Sequence, residues 1–491
     1  MTISFSQIPV TIRTPGQYAE FDNSLANKGL VRDITRVLLL GQRLSTGSAE
    51  PLVPVRVLSG DHAVALFGRG SMLAAMAYAF KEANEDSDLW AVPVADNAAG
   101  QAATGTVTIA GTATAAGTLL LYVGGVKVQA AVAVGALASA VAADLADAVG
   151  EMPDLPVTAS ATGAVVTLTA RHKGETMNAL DLRTTYWQGD AVPAGLTVTI
   201  AAPSGMSGGT GNPDVTTALA ALGDVQYHHV ITPWTDTANL AALEEELEDR
   251  WSATRQIEGQ AWASVSGTHA ALATIGSARN SEVISIMGAQ RSPTPPWLWA
   301  AVYGAVAAYQ LGIDPARPLQ TLELPGILAP AEPDRFTRAE RNLLLYDGVS
   351  TFMVAVDGTV SIERAITTYQ VNAYNLPDPS YLDVETLATL SVLRSTLRAR
   401  ISQKFPRHKL ADDGTRFGAG QAIVTPSIIR AELIALARAW EERGWVENLT
   451  AFKDQLVVER NADDPTRVDV VLPPDLVNQL RVFAALVQFR V

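Results

Sequence analysis

Residues 227–289 read YHHVITPWTDTANLAALEEELEDRWSATRQIEGQAWASVSGTHAALATIGSARNSEVISIMGA. Three short apolar runs, YHHVITP, QAWASVSG and EVISIMGA, have the length and composition of strands. Between them lie TANLAALEEELEDRWSAT and THAALATIGSAR, whose apolar residues recur at helical spacing. Strands that alternate with helices predict crossover connections and a largely parallel sheet.

The pattern extends in both directions. Upstream, DVTTALAAL (214–222) predicts a helix with Asp214 as its N-cap. Further back, DITRVLLLG (33–41) reads as a buried strand, SMLAAMAYAFKEAN (71–84) as a helix and LWAVPVA (89–95) as a strand. Downstream, Pro295 and Pro296 open the apolar helix WLWAAVYGAVAAYQLGI (297–313), with Thr294 as its expected cap. This stretch is short for a bilayer and contains Gln310, so it predicts a buried helix and no membrane insertion. VSTFMVAVDGTVSIERAITTY (349–369) predicts a hairpin turned at Asp357-Gly358. Two helices, near 381–404 and 427–444, and two or three strand-like segments complete the chain.

Between these halves the composition changes. Residues 98–212 are rich in Ala, Gly, Thr and Val. TGTVTIAG, TLLLYVGGVKVQAAVAV, LPVTASATGAVVTLTAR and GLTVTIAAP are short alternating strands, interrupted by one helix, GALASAVAADLADAVG. The flanks, DNAAGQAATG and PSGMSGGTGNPD, have the composition of flexible linkers. The expected fold class is α+β or α/β: a discontinuous mixed α/β core (31–97 plus 213–470), an inserted β-rich domain (98–212), and extended N- and C-terminal arms (1–30 and 471–491).

The two arms share a pattern. In RVFAALVQFRV (481–491), Phe483, Val487, Phe489 and Val491 fall on one side of an extended chain. Near the other end Ile8, Val10 and Ile12 alternate around Pro9, and a proline in a strand implies an edge. Apolar edge strands invite pairing with another chain. The expectation is therefore strand donation to another copy, and eleven residues span ~36 Å. If the donor and acceptor surfaces differ, the contact propagates as a ring or an open helix.

Composition narrows the function. The 491 residues carry 36 basic and 50 acidic side chains, a formal charge of −14. That balance argues against direct nucleic-acid binding, which rests on phosphate neutralisation. With no cysteine, disulfides and thiolate metal sites are excluded. The first residues, MTISFSQIPVTIRTPGQY, have no apolar segment of signal-peptide type.

Several motifs approach known chemistry and fail in detail. VLLLGQRLSTGSA (37–49) runs like a strand into a phosphate loop. However, it has five residues between Gly41 and Gly47, no following lysine, and Pro51 and Pro54 where a helix is needed. Gly205-Met206-Ser207-Gly208-Gly209 matches G-x-S-x-G, but in a Ser/Gly tract rather than a sharp strand-to-helix turn. A hydrolase using Ser207 is thus the remote alternative. His228 and His229 are adjacent on a strand, so they point to opposite faces and cannot chelate one metal. Pro293-Thr294-Pro295-Pro296 fits a helix start better than a proline-rich ligand. Glu244, Glu245, Glu246, Glu248 and Asp249 read as a solvated helix face. No catalytic, cofactor or metal site is expected. The basic group Arg394, Arg398, Arg400, Lys404, Arg407 and Lys409 follows the apolar stripe Leu390, Leu393, Leu397 and Ile401 with no acidic residue among them. It complements a helix C-terminus, or it docks an acidic protein surface.

Longer strings carry a family resemblance. FTRAERNLLLYDGVSTFMV, VSIERAITTYQVN, RHKLADDGT and VVERNADDPTRVDVVLPPDLVNQLRVFAALVQFRV resemble the tail sheath proteins of Mu-like contractile-tailed bacteriophages, as do IPVTIRTPGQYAEFDNSLA and LTARHKGETMN. The resemblance implies a non-enzymatic structural subunit, polymerised in stacked, six-fold rings around an inner tail tube. Its partners would be copies of itself, the tube protein, and the baseplate and tail terminator proteins. It also implies a place in the virion tail after assembly in the host cytoplasm, terminal arms that knit neighbours together, and an inserted domain on the outer surface. The basic cluster from Arg394 to Lys409 would meet the tube or a neighbour. The sheath of a phage-derived contractile bacteriocin is the alternative within this reading. An adhesive surface protein with a β-rich module is the alternative outside it.

Overall fold

The computed structural model describes residues 35–200, 205–418 and 420–490. The chain forms two compact units; one comprises Ile34–Val392 with Asp475–Val491, and the other contains Leu393–Pro474.

The larger unit opens with β1 (Arg36–Gln42), β2 (Val55–Arg56), α1 (Gly60–Phe67), α2 (Met72–Ala83) and β3 (Asp88–Val94). The Ala/Gly/Thr/Val-rich region follows: β4 (Ala102–Gly111), β5 (Gly117–Val123), β6 (Val126–Val132), α3 (Ala138–Gly150), β7 (Val157–Thr162), β8 (Val165–Lys173), β9 (Leu182–Arg183) and β10 (Leu196–Ile200). The alternation resumes with α4 (Thr216–Ala220), β11 (His229–Ile231), α5 (Thr237–Trp251), β12 (Gln260–Ser266), α6 (His269–Ser277), β13 (Ile284–Gln290) and α7 (Pro296–Ile313). Next come α8 (Arg338–Tyr346), β14 (Thr351–Val354), β15 (Val360–Arg364) and α9 (Val384–Lys404), within which the division between the units falls.

The central sheet has the order β13-β12-β11-β1-β3-β2. Every pairing from β13 to β3 is parallel, and only β2 runs antiparallel, at the edge. β1 lies in the middle with a continuous apolar run, as a strand covered on both faces requires. Successive side chains enter two cores. Val37 and Leu39 join Phe80, Trp299 and Tyr303 on one face, while Leu38 and Leu40 join Leu219, Leu243 and Ile286 on the other. Helix α7 is apolar all round because it is buried. Its Gly304 lies so close to the sheet that an added Cβ would stand 2.5 Å from Ile231 Cδ1. Among the described residues, no helix is long and apolar enough to cross a membrane.

The strands of 102–200 form a four-stranded sheet, β10-β4-β8-β7, and a three-stranded one, β6-β5-β9. They do not enclose a separate core. Val107, Leu121, Val141 and Leu168 belong to the same buried cluster as Val37 and Trp299. The flanking segments, expected as flexible linkers, are instead paired. Thr104 and Ser207 exchange backbone hydrogen bonds of 2.8 and 2.9 Å, and Gln101 and Thr210 exchange bonds of 2.9 and 3.2 Å. A polar joint adds to this. His172, fully buried on β8, shares a 2.9 Å hydrogen bond with Asp96 and accepts the Met72 N–H at 3.1 Å. Burial works against the charged Asp96, but the bonds from His172, Lys173 N–H and Gln42 outweigh it and hold the carboxyl below its usual range.

Two cap expectations need correction. Thr294 does not cap α7; Pro295 occupies the N-cap, and the Thr294 hydroxyl accepts the Leu328 N–H at 2.9 Å. Asp214 sits one residue before the N-cap Val215, and its carboxylate accepts the Thr216 N–H at 2.9 Å. The hairpin at Asp357-Gly358 forms as expected, with β14 antiparallel to β15.

The second unit holds the end of α9, β16 (Lys409–Leu410), β17 (Ile423–Val424), α10 (Pro426–Glu442), β18 (Val446–Glu447), α11 (Leu449–Gln455), β19 (Val457–Arg460) and β20 (Val468–Val471). Leu433, Leu436 and Trp440 of α10 are buried, and Trp440 Nε1 donates to the Thr396 hydroxyl at 3.0 Å.

Candidate assembly surfaces

The C-terminal arm changes character at one residue. Gln479 Nε2 donates to Ala316 O at 3.3 Å, and Gln320 Nε2 donates to Leu480 O at 3.4 Å. The Arg481 guanidinium then donates to Asp383 at 3.0 Å and Glu385 at 2.9 Å. The Glu385 side chain is fully buried and also accepts the Leu319 N–H at 2.8 Å. Burial pushes its pKa up, and the Arg481 charge works in the opposite direction. Beyond this point Val482, Phe483, Leu486, Val487 and Phe489 are 79 to 86% exposed. Residues 482–490 carry no strand assignment and make no hydrogen bond to a described residue. Phe483, Val487 and Phe489 thus stand in solvent, each forgoing about 1.5–3 kcal/mol of burial. Val491, like Ile8, Val10 and Ile12, lies outside the described residues.

Arg481 carried no distinctive signal in the sequence beyond being a charge at the root of an apolar run. Its partners lie about a hundred residues upstream, where no short-range spacing can point to them.

A second surface is β19–β20. This antiparallel pair forms a two-stranded sheet with Val457 opposite Val471 and Val458 opposite Val470. Neither strand has another neighbour among the described strands. Val457, Val470 and Val471 are 48, 42 and 61% exposed. An open apolar edge of this kind is a template for added strands.

The basic cluster is less uniform than its sequence. Glu432 of α10 pairs with Arg400 and lies 3.9 Å from Lys404, so the fold brings in the carboxylate that the local sequence lacks. Lys409 donates to Gln421 Oε1 at 3.1 Å. Arg398, Arg407 and Lys409 are exposed, and Arg394 is half-buried.

The remaining motifs resolve into structure. The 43–49 loop closes on its own arginine: the Arg43 guanidinium donates to the carbonyls of Leu44, Ala49 and Gly47 at 3.0, 2.6 and 2.9 Å. Ser207 lies in the paired segment described above, and among the described residues it sits at no strand-to-helix turn of the kind a nucleophile elbow needs. His228 Nδ1 accepts the Arg36 N–H at 3.1 Å, while His229 is buried and accepts the Trp262 indole N–H at 3.1 Å. Among the described residues no His, Cys, Asp and Glu group could hold a metal ion. The acidic run on α5 is partly neutralised rather than merely solvated: Glu244 pairs with Arg279 at 2.7 Å and Asp249 with Arg255 at 2.6 Å.

Comparison with known proteins gives one consistent assignment. The phage tail sheath protein central domain matches residues 208–368, and the phage tail sheath C-terminal domain matches residues 377–490. The chain is 46% identical over 489 residues to the Mu-like prophage FluMu tail sheath protein of Haemophilus influenzae, covering 100% of both. Among solved structures it is similar to the sheath tail protein of Desulfitobacterium hafniense, with a TM-score of 0.50 at 14% identity over 95% of this chain and 97% of that one. The sheath tail protein of Listeria innocua gives 0.48 at 12% identity, over 92% and 94%. With both sheath domains matched and a full-length relative at nearly half identity, this chain belongs to the phage tail sheath protein family, among its Mu-like members.

Proposed function

We propose that this protein is the subunit of a contractile sheath that polymerises helically, as stacked six-membered rings, around an inner tail tube and contracts to drive that tube through the host envelope. Its other partners are the baseplate and tail terminator proteins. It is assembled in the host cytoplasm and resides in the virion tail. Copies are linked by donated strands: the C-terminal arm, through Phe483, Val487, Phe489 and Val491, and the N-terminal arm, through Ile8, Val10 and Ile12. The acceptor is the open β19–β20 hairpin of another copy. Residues 98–212 decorate the outer surface. The observation that carries this reading is the run 482–490, largely apolar and exposed, with no hydrogen-bond partner among the described residues. Such a segment is costly alone and stable only as a strand in another sheet.

The test is negative-stain electron microscopy of the full chain beside a version ending at Arg481, which keeps the docked root. Tubes from the full chain and soluble monomers from the truncation are expected. Tubes from both would move the linkage to the N-terminal arm. Monomers from both, with the tube protein present, would overturn the polymer reading.

A further inference from the structure

We propose that Asp383 and Glu385 form a receptor for the Arg481 guanidinium that clamps the C-terminal arm at its root and fixes the start of the link between copies at Val482. This rests on the donated-strand reading above and specifies where the donated segment begins.

Three successive residues are held. Gln479 reaches Ala316 O, Leu480 O accepts from Gln320, and Arg481 contacts Gln320 Oε1 at 3.4 Å besides the two carboxylates. The next residue, Val482, is 79% exposed, so the transition from docked to free chain occurs within one peptide. The charges balance within the site. Asp383 pairs with Arg364 at 3.1 Å as well as with Arg481, so two carboxylates face two guanidiniums. Withdrawing Arg481 would leave a fully buried Glu385 with backbone N–H donors alone, and a buried charge without a counter-charge is strongly unfavourable. An apolar arm that only needed tethering would not require a buried carboxylate beneath its first basic residue.

The consequence is mechanical. If the root peeled away, residues 475–481 would add ~23 Å of slack. With the clamp closed the link is short and inextensible, and motion between copies is taken up by rotation of the backbone from Val482 onward.

Two measurements test this. The first is limited trypsin digestion of the full chain, read by mass spectrometry. Cleavage after the exposed Arg490 is the internal standard for cleavage after the clamped Arg481. Slow cleavage at Arg481 is expected in the native protein. The D383N/E385Q variant should raise its rate about tenfold or more relative to Arg490. Equal ratios in the two proteins overturn the clamp. The second uses the absence of native cysteines. Gln320→Cys and Gln479→Cys are bridged with a short bismaleimide before assembly, which closes the root permanently. Tubes that form as readily with the bridge as without it support a fixed link. Tubes from the unbridged variant but not the bridged one show that the root must open, and overturn it. If the native chain itself forms no tubes, the donated-strand reading fails, and the trypsin ratio alone decides the clamp.

Discussion

His229 begins β11 with its ring buried against Trp262, whose indole N–H donates to Nδ1. That bond fixes the tautomer: the ring proton sits on Nε2, and Nδ1 must stay bare to accept. Burial, with a smaller contribution from neighbouring His228, pushes the His229 pKa down from 6.5 to about 3. As pH falls below 6.5 the unfolded chain therefore takes up a proton that the folded chain refuses. The stability this residue contributes is complete above that value and drains away as pH approaches 3. By pH 5 the loss is about 2 kcal/mol. His229→Asn keeps an acceptor near the Nδ1 position and removes the titration. Denaturant midpoints measured from pH 7 to pH 4 should fall less steeply for this variant than for the native chain. Parallel slopes would show that His229 does not titrate in this way.

At the scale of elements, the basic residues from Arg400 to Lys409, around the end of α9, divide into those paired with Glu432 and those without an ion pair among the described residues. Arg400 and Lys404 face Glu432 on α10, whereas Arg407, in the loop beyond the helix, and Lys409, at the start of β16, are exposed. Arg400→Ala should cost up to about 1 kcal/mol in unfolding experiments, the range of a partly exposed ion pair. Reversing Arg407 and Lys409 to Glu should leave thermal stability nearly unchanged and impair assembly around the tube. Normal tails from that double variant would sink the proposed tube contact. The difference between these pairs is also a measure of what the sequence conveys. The strand–helix alternation of 227–289 was legible because each element carries its own periodicity, and the Asp357-Gly358 turn because its chemistry is local. Glu432 was not, lying 32 residues from Arg400, nor was Thr294's real partner, the Leu328 N–H. The placement of β1 between β11 and β3 was equally hidden, since many strand orders satisfy one pattern of buried strands. The Gly-rich flanks misled for a related reason: their composition reports local freedom, while the bonds joining 101–104 to 207–210 are closed by the strands on either side.

For the whole molecule, the open question of energetics is how a polymer can rearrange without coming apart. A flat side-chain interface loses its packing when subunits rotate, because close-packed surfaces fit in one orientation. A donated strand is different. In the proposed assembly its main-chain hydrogen bonds would lie within the acceptor sheet, which would move as one body, and the backbone at Val482, between that sheet and Arg481, would absorb the rotation. On the proposed function, an extended sheath would then be held by kinetics, and contraction would form new contacts elsewhere while the strand linkage persisted. This requires the arm of one copy to lie in the sheet of another, and the absence of native cysteine makes the requirement measurable. Val487→Cys on the arm and Val471→Cys on the exposed edge of β20 can be oxidised in assembled tubes. Strands paired across such an edge bring Cβ atoms within about 5.5 Å, close to disulfide reach, and a two-residue offset in register is covered by moving the arm cysteine to Phe489. The expected product is a ladder of covalent oligomers on a denaturing gel, seen with tubes and not with dilute monomer. A dominant intramolecular product in monomer and tube alike would mean that the arm returns to its own hairpin, and the linkage between copies would have to be sought in the N-terminal arm.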